Sequence, residues 1–469
     1  MSPILSAITK QPLSGDRPVF GTLLVLLVCA PLPFALARDW GEALLTGVAL
    51  TLLTGWCLLA LFGRAHLSER RFRQVRWPLA ALLVVQCWAV AQAIPWPVHW
   101  VSAIDPDLVR MRPNVLTTTL SLDAYHTIRQ ALLGFGLTAL FFVSFATVDT
   151  PRRGQWVLGA LLLSGTLQAA YGAFMVLSGL ELGFFVEKYS GIGTATGTFV
   201  NRNHLAGYLN ICLGAGIGLL FAQLRARADP ADWKARLRSA LELLLSPKIR
   251  LRLYLAIMVV ALVLTRSRMG NLAFFTALIL TGMAALASQE RLHGRAALFF
   301  ASLLIIDLLI LGQWFGLDAL VARLEQTTPT QEGRIAYTPA LVEYIRTFFW
   351  TGSGAGSFYG VFEQFFDAGA ANAPTHAHND YGQFAAEYGV PATTVLGLWV
   401  LATGWKASQL LRRSTPVYRG VGFAGLMMVI WLLVHSMVDF NLQIAANAAT
   451  VMALAGVVWA CSSARRREH

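Results

Sequence analysis

The residues best equipped for chemistry fall in one short interval, Thr375-His376-Ala377-His378-Asn379-Asp380-Tyr381. Two imidazoles, an amide, a carboxylate and a phenol lie within six residues, so the interval offers a proton acceptor and groups that could orient it. His378 is the candidate general base. A loop histidine is as readily a solvated surface group; what else converges on it decides between the two. Arg266 and Arg268 flank Ser267 between two apolar runs, and a guanidinium is a fixed cation whose planar fork suits phosphate oxygens. Their alternative use is to reach lipid headgroups. Arg202, with Asn201, Asn203 and His204 around it, opens another apolar run. A helix start plus arginine suits an anion, and capping alone would also account for these polar residues.

Other chemistries find no support in the spacing. His376 and His378 stand two apart, which is not a zinc-binding HExxH pattern, and no cysteine pair accompanies them. Gly352-Ser353-Gly354-Ala355-Gly356 does not fit GxGxxG and reads as backbone making a close approach to a neighbour or a glycan. No Walker motif is present, no outer acidic set forms a divalent-metal clamp, and no cofactor is expected. Arginines and a histidine base without nucleotide or metal machinery suit a substrate that carries its own leaving group, such as a lipid diphosphate.

The elements that must position these groups are membrane helices. Hydrophobic residues make up 56% of the 469, charged residues 13%, and the mean hydropathy is +0.57, which marks a polytopic membrane protein. Twelve apolar runs of about 20 residues are expected as spans, at 19–37, 43–63, 77–97, 129–148, 156–178, 205–223, 251–267, 270–288, 296–315, 384–404, 419–438 and 442–462. The first lacks a small-residue cleavage site and reads as a retained span. With the N-terminus inside, most of the 37 Lys and Arg residues fall on inner segments, notably Arg64–Arg76, Arg225–Arg252 and Lys406–Arg419. Both termini are then cytoplasmic, and the His376/His378 loop faces outward, the periplasm of a bacterium. The net charge of +12 reflects those inner loops, with no call for nucleic acid. The five cysteines are scattered singly and form no framework.

Among the outer segments, the stretch from Trp96 to Arg129 is of moderate length. Gly179–His204 is glycine-rich, as backbone lining a cavity can be. The large outer loop spans 316–383; within it Tyr337–Phe349 reads as an amphipathic helix with Leu341, Tyr344, Ile345 and Phe348 on one face, lying on the membrane or the bundle. The inner stretch Arg225–Arg252 reads as a basic interfacial helix on anionic lipid.

At these residues the chain resembles the O-antigen ligase and O-antigen polymerase-related membrane family. The matching pieces are Gly197-Thr198-Phe199 with Asn201-Arg202-Asn203-His204; Leu264-Thr265-Arg266-Ser267-Arg268; Arg334 leading to Gly352-Ser353-Gly354-Ala355-Gly356-Ser357-Phe358; and His376-Ala377-His378-Asn379-Asp380-Tyr381 with Glu387-Tyr388-Gly389. Their order matches over roughly 190–400. The resemblance implies an all-α, GT-C-like membrane fold: helices at 1–189, a ligase-like core at 190–404 with the outer loop 316–383, and two C-terminal helices at 405–469. It implies a metal-independent, inverting glycosyltransferase of the bacterial inner membrane. Such an enzyme takes a glycan from undecaprenyl diphosphate and passes it, in a ligase, to lipid A-core. His378 would be the base. Arg202, Asn203, Arg266, Arg268, Arg334, His376, Asn379 and Tyr381 would bind substrate. Polysaccharide polymerases and protein O-oligosaccharyltransferases share the family's motifs. A lipid-linked glycan transporter is the competitor from another class; it would place its ionisable residues near the midplane on paired repeats, whereas here they gather at the outer mouth.

Overall fold

A computed structural model of the chain describes residues 15–110, 115–183, 186–188, 190–223, 249–288, 337–366 and 374–464. It is helical, with sixteen described α-helices. These are α1 (Arg17–Cys29), α2 (Asp39–Leu61), α3 (Glu69–Ala93), the short α4 (Val98–Ile104) and α5 (Pro106–Arg110), α6 (Ala124–Thr147), α7 (Pro151–Ser178) and α8 (Arg202–Phe221). There follow α9 (Ile249–Leu264), α10 (Arg268–Ser288), α11 (Thr338–Thr347), α12 (Phe358–Phe362), α13 (Asp380–Tyr388), α14 (Val390–Leu411), α15 (Pro416–His435) and α16 (Ala445–Ser462). Among the described residues eight helices, α2, α3, α6, α7, α8, α10, α15 and α16, are long and apolar enough to cross a membrane. The chain is therefore a multi-pass membrane protein. The expected run at 296–315 and the basic stretch 225–248 lie outside the described residues.

Among the described helices, three depart most from the spans read from hydropathy. The first helix stops at Cys29 rather than continuing to 37, because Pro31 and Pro33 lack an N–H, and Phe34, Ala35 and Leu36 after them take left-handed φ of 53°, 56° and 54°. The third starts early, at Glu69, where Ser68 Oγ accepts from Arg71 N, and it ends before Pro95. The tenth is two helices: Gly389, at φ 82°, breaks α13 from α14.

Helix α8 is the axis. It is apolar on every side and almost wholly buried, as such a helix must be. Helices α7, α9, α10, α15 and α16 surround it. Close approach depends on glycine: Gly218 of α8 packs backbone to backbone against Gly420 of α15, where either Cβ would collide with the other's carbonyl.

A second apolar core lies outside the bundle. Leu341, Tyr344 and Phe348 of the expected amphipathic helix are buried, and their partners are Val101, Leu108, Leu120, Phe358, Val361 and Phe362. The segment between α3 and α6 and the described part of the expected 316–383 loop therefore pack on each other. The antiparallel pair β1 (Pro95–Pro97) and β2 (Thr117–Thr119) closes the first of them.

The glycine-rich turn joins this small core to the bundle. Ser353 N and Gly354 N donate to the carbonyls of Ala386 and Glu387 at 2.9 and 3.0 Å, and Leu122 N donates to Ser353 O at 2.8 Å. Of the two uses that the sequence left open, the described contacts are with neighbouring backbone. Gly354 sits at φ 110°, and a Cβ there would overlap the Ser121 side chain. Gly354→Ala is expected to cost on the order of 2 kcal/mol or more, read as a lower thermal-unfolding midpoint in detergent. An unchanged midpoint would mean that this turn bears little of the fold.

Candidate functional site

Five chain segments meet at one end of the bundle: the start of α8, the turn between α9 and α10, the loop 374–379, α13, and the connection between α15 and α16. All but the α9–α10 turn, which packs on α8, converge on Asp439, whose side chain is 1% exposed. His204 Nε2 and His378 Nδ1 stand 3.7 and 3.9 Å from its Oδ1, and His435 Nε2 stands 3.8 Å from its Oδ2. These contacts are longer than hydrogen bonds, and each becomes an ion pair only when its imidazole is protonated. Burial raises the Asp439 pKa, but the histidines outweigh it and hold the carboxyl well below its ordinary range. Phe440 provides the apolar floor. His376 stacks on it at 4.2 Å between centroids, and His204 and His378 meet it edge-on at 4.6 and 4.8 Å.

His378 has a backbone of unusual shape. Its φ is 46°, left-handed for a residue with a Cβ, and such outliers gather where surrounding structure holds a functional group in place. Its side chain is 27% exposed while Nδ1 is fully buried, so Nδ1 faces Asp439 and Nε2 lies on the open side. The base candidate thus has a buried carboxylate 3.9 Å from Nδ1, close enough to act on the ring through its charge though not hydrogen-bonded to it.

Asp380, two residues on, ties the loop to the α15–α16 connection. Its N–H donates to Ser436 O at 2.9 Å, while its Oδ2 accepts from Ser436 Oγ at 2.8 Å and Leu442 N at 3.3 Å. Burial, against those hydrogen bonds, pushes its pKa up to about 8. Neighbouring Asp380 and Asp439 are thus driven in opposite directions. The sign for stability follows. Between the ordinary value of 3.8 and about 8 the folded chain binds the proton that the unfolded chain has lost, so stability falls as pH rises through this window. Asp380→Asn is expected to remove that slope in thermal unfolding between about pH 4 and 8; an identical slope in the variant would assign it to another group.

The arginines gather at helix starts beside this cluster. Ser267 Oγ accepts from Gly270 N at 3.2 Å and caps α10. Asn210 Nδ2 of α8 donates to Gly270 O at 3.1 Å, and Gly270 lies directly against Ala206. Arg202 is one turn before Ala206 and Arg268 two residues before Gly270, so both sit at adjacent helix starts, and both are exposed. Arg266 is exposed as well, at φ 52°. Ala195 N donates to Leu264 O at 2.9 Å, drawing the glycine-rich 191–201 segment against this turn.

The remaining sequence candidates have visible duties. Asn203 is partly exposed beside Arg202, and its N–H is capped by Asn201 Oδ1 at 2.8 Å. Asn379 Oδ1 caps α13 by accepting from Gly382 N at 3.0 Å, and Tyr381 Oη donates to Leu433 O at 2.9 Å. Arg334 lies outside the described residues. Sequence reasoning passed over His435, Asp439 and Phe440, and it treated His204 only as part of a cap. The available signal was polar: His435, Ser436, Asp439 and Asn441 interrupt two apolar runs within seven residues. Among the described residues no group of three or more His, Cys, Asp or Glu is placed to hold a metal ion.

Residues 253–397 match the family model described as O-antigen ligase. That range includes Arg266, Arg268, the glycine-rich turn and the histidine loop; Arg202, His204 and Asp439, which fold onto the same place, lie beyond it. No curated protein matches the chain.

Proposed function

Because residues 253–397 belong to the O-antigen ligase family, we propose that this membrane protein transfers a glycan from undecaprenyl diphosphate to a hydroxyl of lipid A-core, on the periplasmic side of a bacterial inner membrane. The observation that carries the reading is His378, held by left-handed backbone against buried Asp439, beside two arginine-bearing helix starts.

The chemistry is a displacement at the anomeric carbon. The acceptor oxygen forms the new bond on one face while the bond to the diphosphate oxygen breaks on the other, inverting the centre. The proton of the acceptor hydroxyl moves to His378 Nε2, and Asp439 stabilises the imidazolium that forms. The diphosphate leaves with the bonding electrons. Arg202, Arg266 and Arg268, with the N–H groups opening α8 and α10, meet its growing charge, so no cofactor is needed. Arg334 is assigned to the same role from the resemblance. Asn203 contributes at the α8 start, whereas Asn379 and Tyr381 shape the loop from behind. The excess of Lys and Arg on alternate loops supports cytoplasmic termini.

Reconstitution tests the acceptor. Proteoliposomes given lipid-diphosphate glycan are expected to form product only with lipid A-core. Growth of the donor glycan without it would make the protein a polymerase, and no product with either would remove the proposal. In the same assay Arg268→Lys is expected to lose at least ~10-fold in activity, because an ammonium cannot present the two-pronged fork. Full activity would leave Arg268 as a headgroup anchor.

A further inference from the structure

The second loop histidine, His376, belongs to a hydrogen-bonded chain in which every donor and acceptor is determined. Ala377 N–H can only donate, and it donates to Gln383 Oε1 at 3.1 Å. This fixes which end of the Gln383 amide is oxygen. The NH2 end therefore faces Glu387 Oε1 at 3.2 Å and His376 Nδ1 at 3.1 Å. Phe358 N–H donates to the same Glu387 oxygen at 3.3 Å, which confirms that oxygen as an acceptor. An amide N–H pointing at a ring nitrogen requires that nitrogen to accept. Nδ1 of His376 thus carries no proton, and the ring's single proton is on Nε2. Stacking on Phe440, 14° from parallel, fixes the ring plane. Among the described residues Nε2 makes no hydrogen bond, and it is not one of the fully buried atoms.

The surroundings keep the ring neutral. Burial lowers its pKa to about 4, with His204 and His378 adding to the effect against Gln383 and Asp439. The adjacent histidines are thereby differentiated: Nε2 of His378 is available to accept a proton, and Nε2–H of His376 to donate a hydrogen bond. A neutral donor suits this position, since a cation there would oppose the imidazolium forming on His378.

We infer that His376 is a neutral hydrogen-bond donor to an anionic oxygen of the diphosphate, and that Gln383, held by Ala377 and Glu387, is the positioning residue that fixes its tautomer. The ligand in this inference rests on the proposed transfer reaction; the tautomer does not.

The experiment uses the full chain, 15N-labelled at histidine, in proteoliposomes. Solid-state NMR distinguishes protonated from unprotonated ring nitrogens, and His376→Gln identifies the His376 signals by their loss. The expected spectrum has Nδ1 bare and Nε2 protonated, unchanged between about pH 5 and 8, with Nε2 shifting on addition of farnesyl diphosphate. A proton on Nδ1, or titration in that range, overturns the tautomer. An unmoved Nε2 signal overturns the ligand. Both readings need no turnover, so they stand apart from failure of glycan transfer.

Kinetics supply a second arm. His376→Gln retains a neutral N–H and is expected to keep the KM for the lipid donor within ~3-fold, whereas His376→Phe keeps the stack without the N–H and is expected to raise it ~10-fold or more. The KM for lipid A-core should not move. Equal effects from Gln and Phe would reduce His376 to packing. Gln383→Glu places a carboxylate opposite Nδ1, and the ring proton is expected to move there with a matching rise in donor KM. A bare Nδ1 in that variant would remove Gln383 from the role.

Discussion

His378→Ala is expected to remove glycan transfer, with a fall of ~10²- to 10⁴-fold, the range for losing a positioned general base. An acceptor sugar hydroxyl holds its proton tightly at neutral pH, and Nε2 of His378 is the accepting nitrogen left on the open side once Nδ1 faces Asp439. The side chain is partly exposed and its nearest ring is Phe440 at 4.8 Å, so truncation removes little packing. Alanine adopts the left-handed backbone at φ 46° somewhat less readily than histidine, a cost small beside the expected loss of rate. The variant should therefore insert and purify at normal levels. Product per reconstituted molecule, measured from a labelled glycan donor, checks the effect; normal product would remove the base.

Asp439→Asn is expected to lower kcat ~10²-fold or more with little change in donor KM. The substitution keeps shape and removes the one negative charge on which His204, His378 and His435 converge at 3.7 to 3.9 Å. Two effects then act together. The imidazolium formed on His378 loses its counter-charge, and an amide can present N–H where the carboxylate presented only oxygen, which favours the wrong tautomer. Because the carboxylate is buried, loss of fold must be separated from loss of rate. A thermal-unfolding midpoint close to wild type together with collapsed kcat is the expected pairing. Wild-type kcat would mean that the cluster is structural.

Much of this site was legible in the chain itself. The histidine loop, the Arg266–Arg268 turn and the Arg202 helix start carry local spacing that names a chemistry, and hydropathy places each at the end of an apolar run. Asp439 was not legible. It follows His378 by more than sixty residues, in the few residues between the expected spans 419–438 and 442–462, and only folding brings it beneath the imidazole. The positive φ of Arg266 and His378 was hidden for a similar reason: glycine advertises a left-handed backbone and these residues do not. The glycine-rich turn was visible as a close approach, but that it closes on the α13 carbonyls required the packed core of Tyr344, Phe358 and their neighbours. Span ends were misplaced where hydropathy continued past a local stop, as at Phe34–Leu36 and Gly389, because backbone conformation rather than apolarity ends those helices.

The most direct measurement separates binding from chemistry in a single His378→Ala preparation. Proteoliposomes are loaded with lipid-diphosphate glycan, donor affinity is determined, and lipid A-core is added to follow one turnover. The expected result is donor affinity within ~3-fold of wild type and no transfer on the wild-type timescale, since a base contributes to the transition state and not to holding the diphosphate. Wild-type turnover with weakened donor binding would contradict it and make His378 a substrate contact.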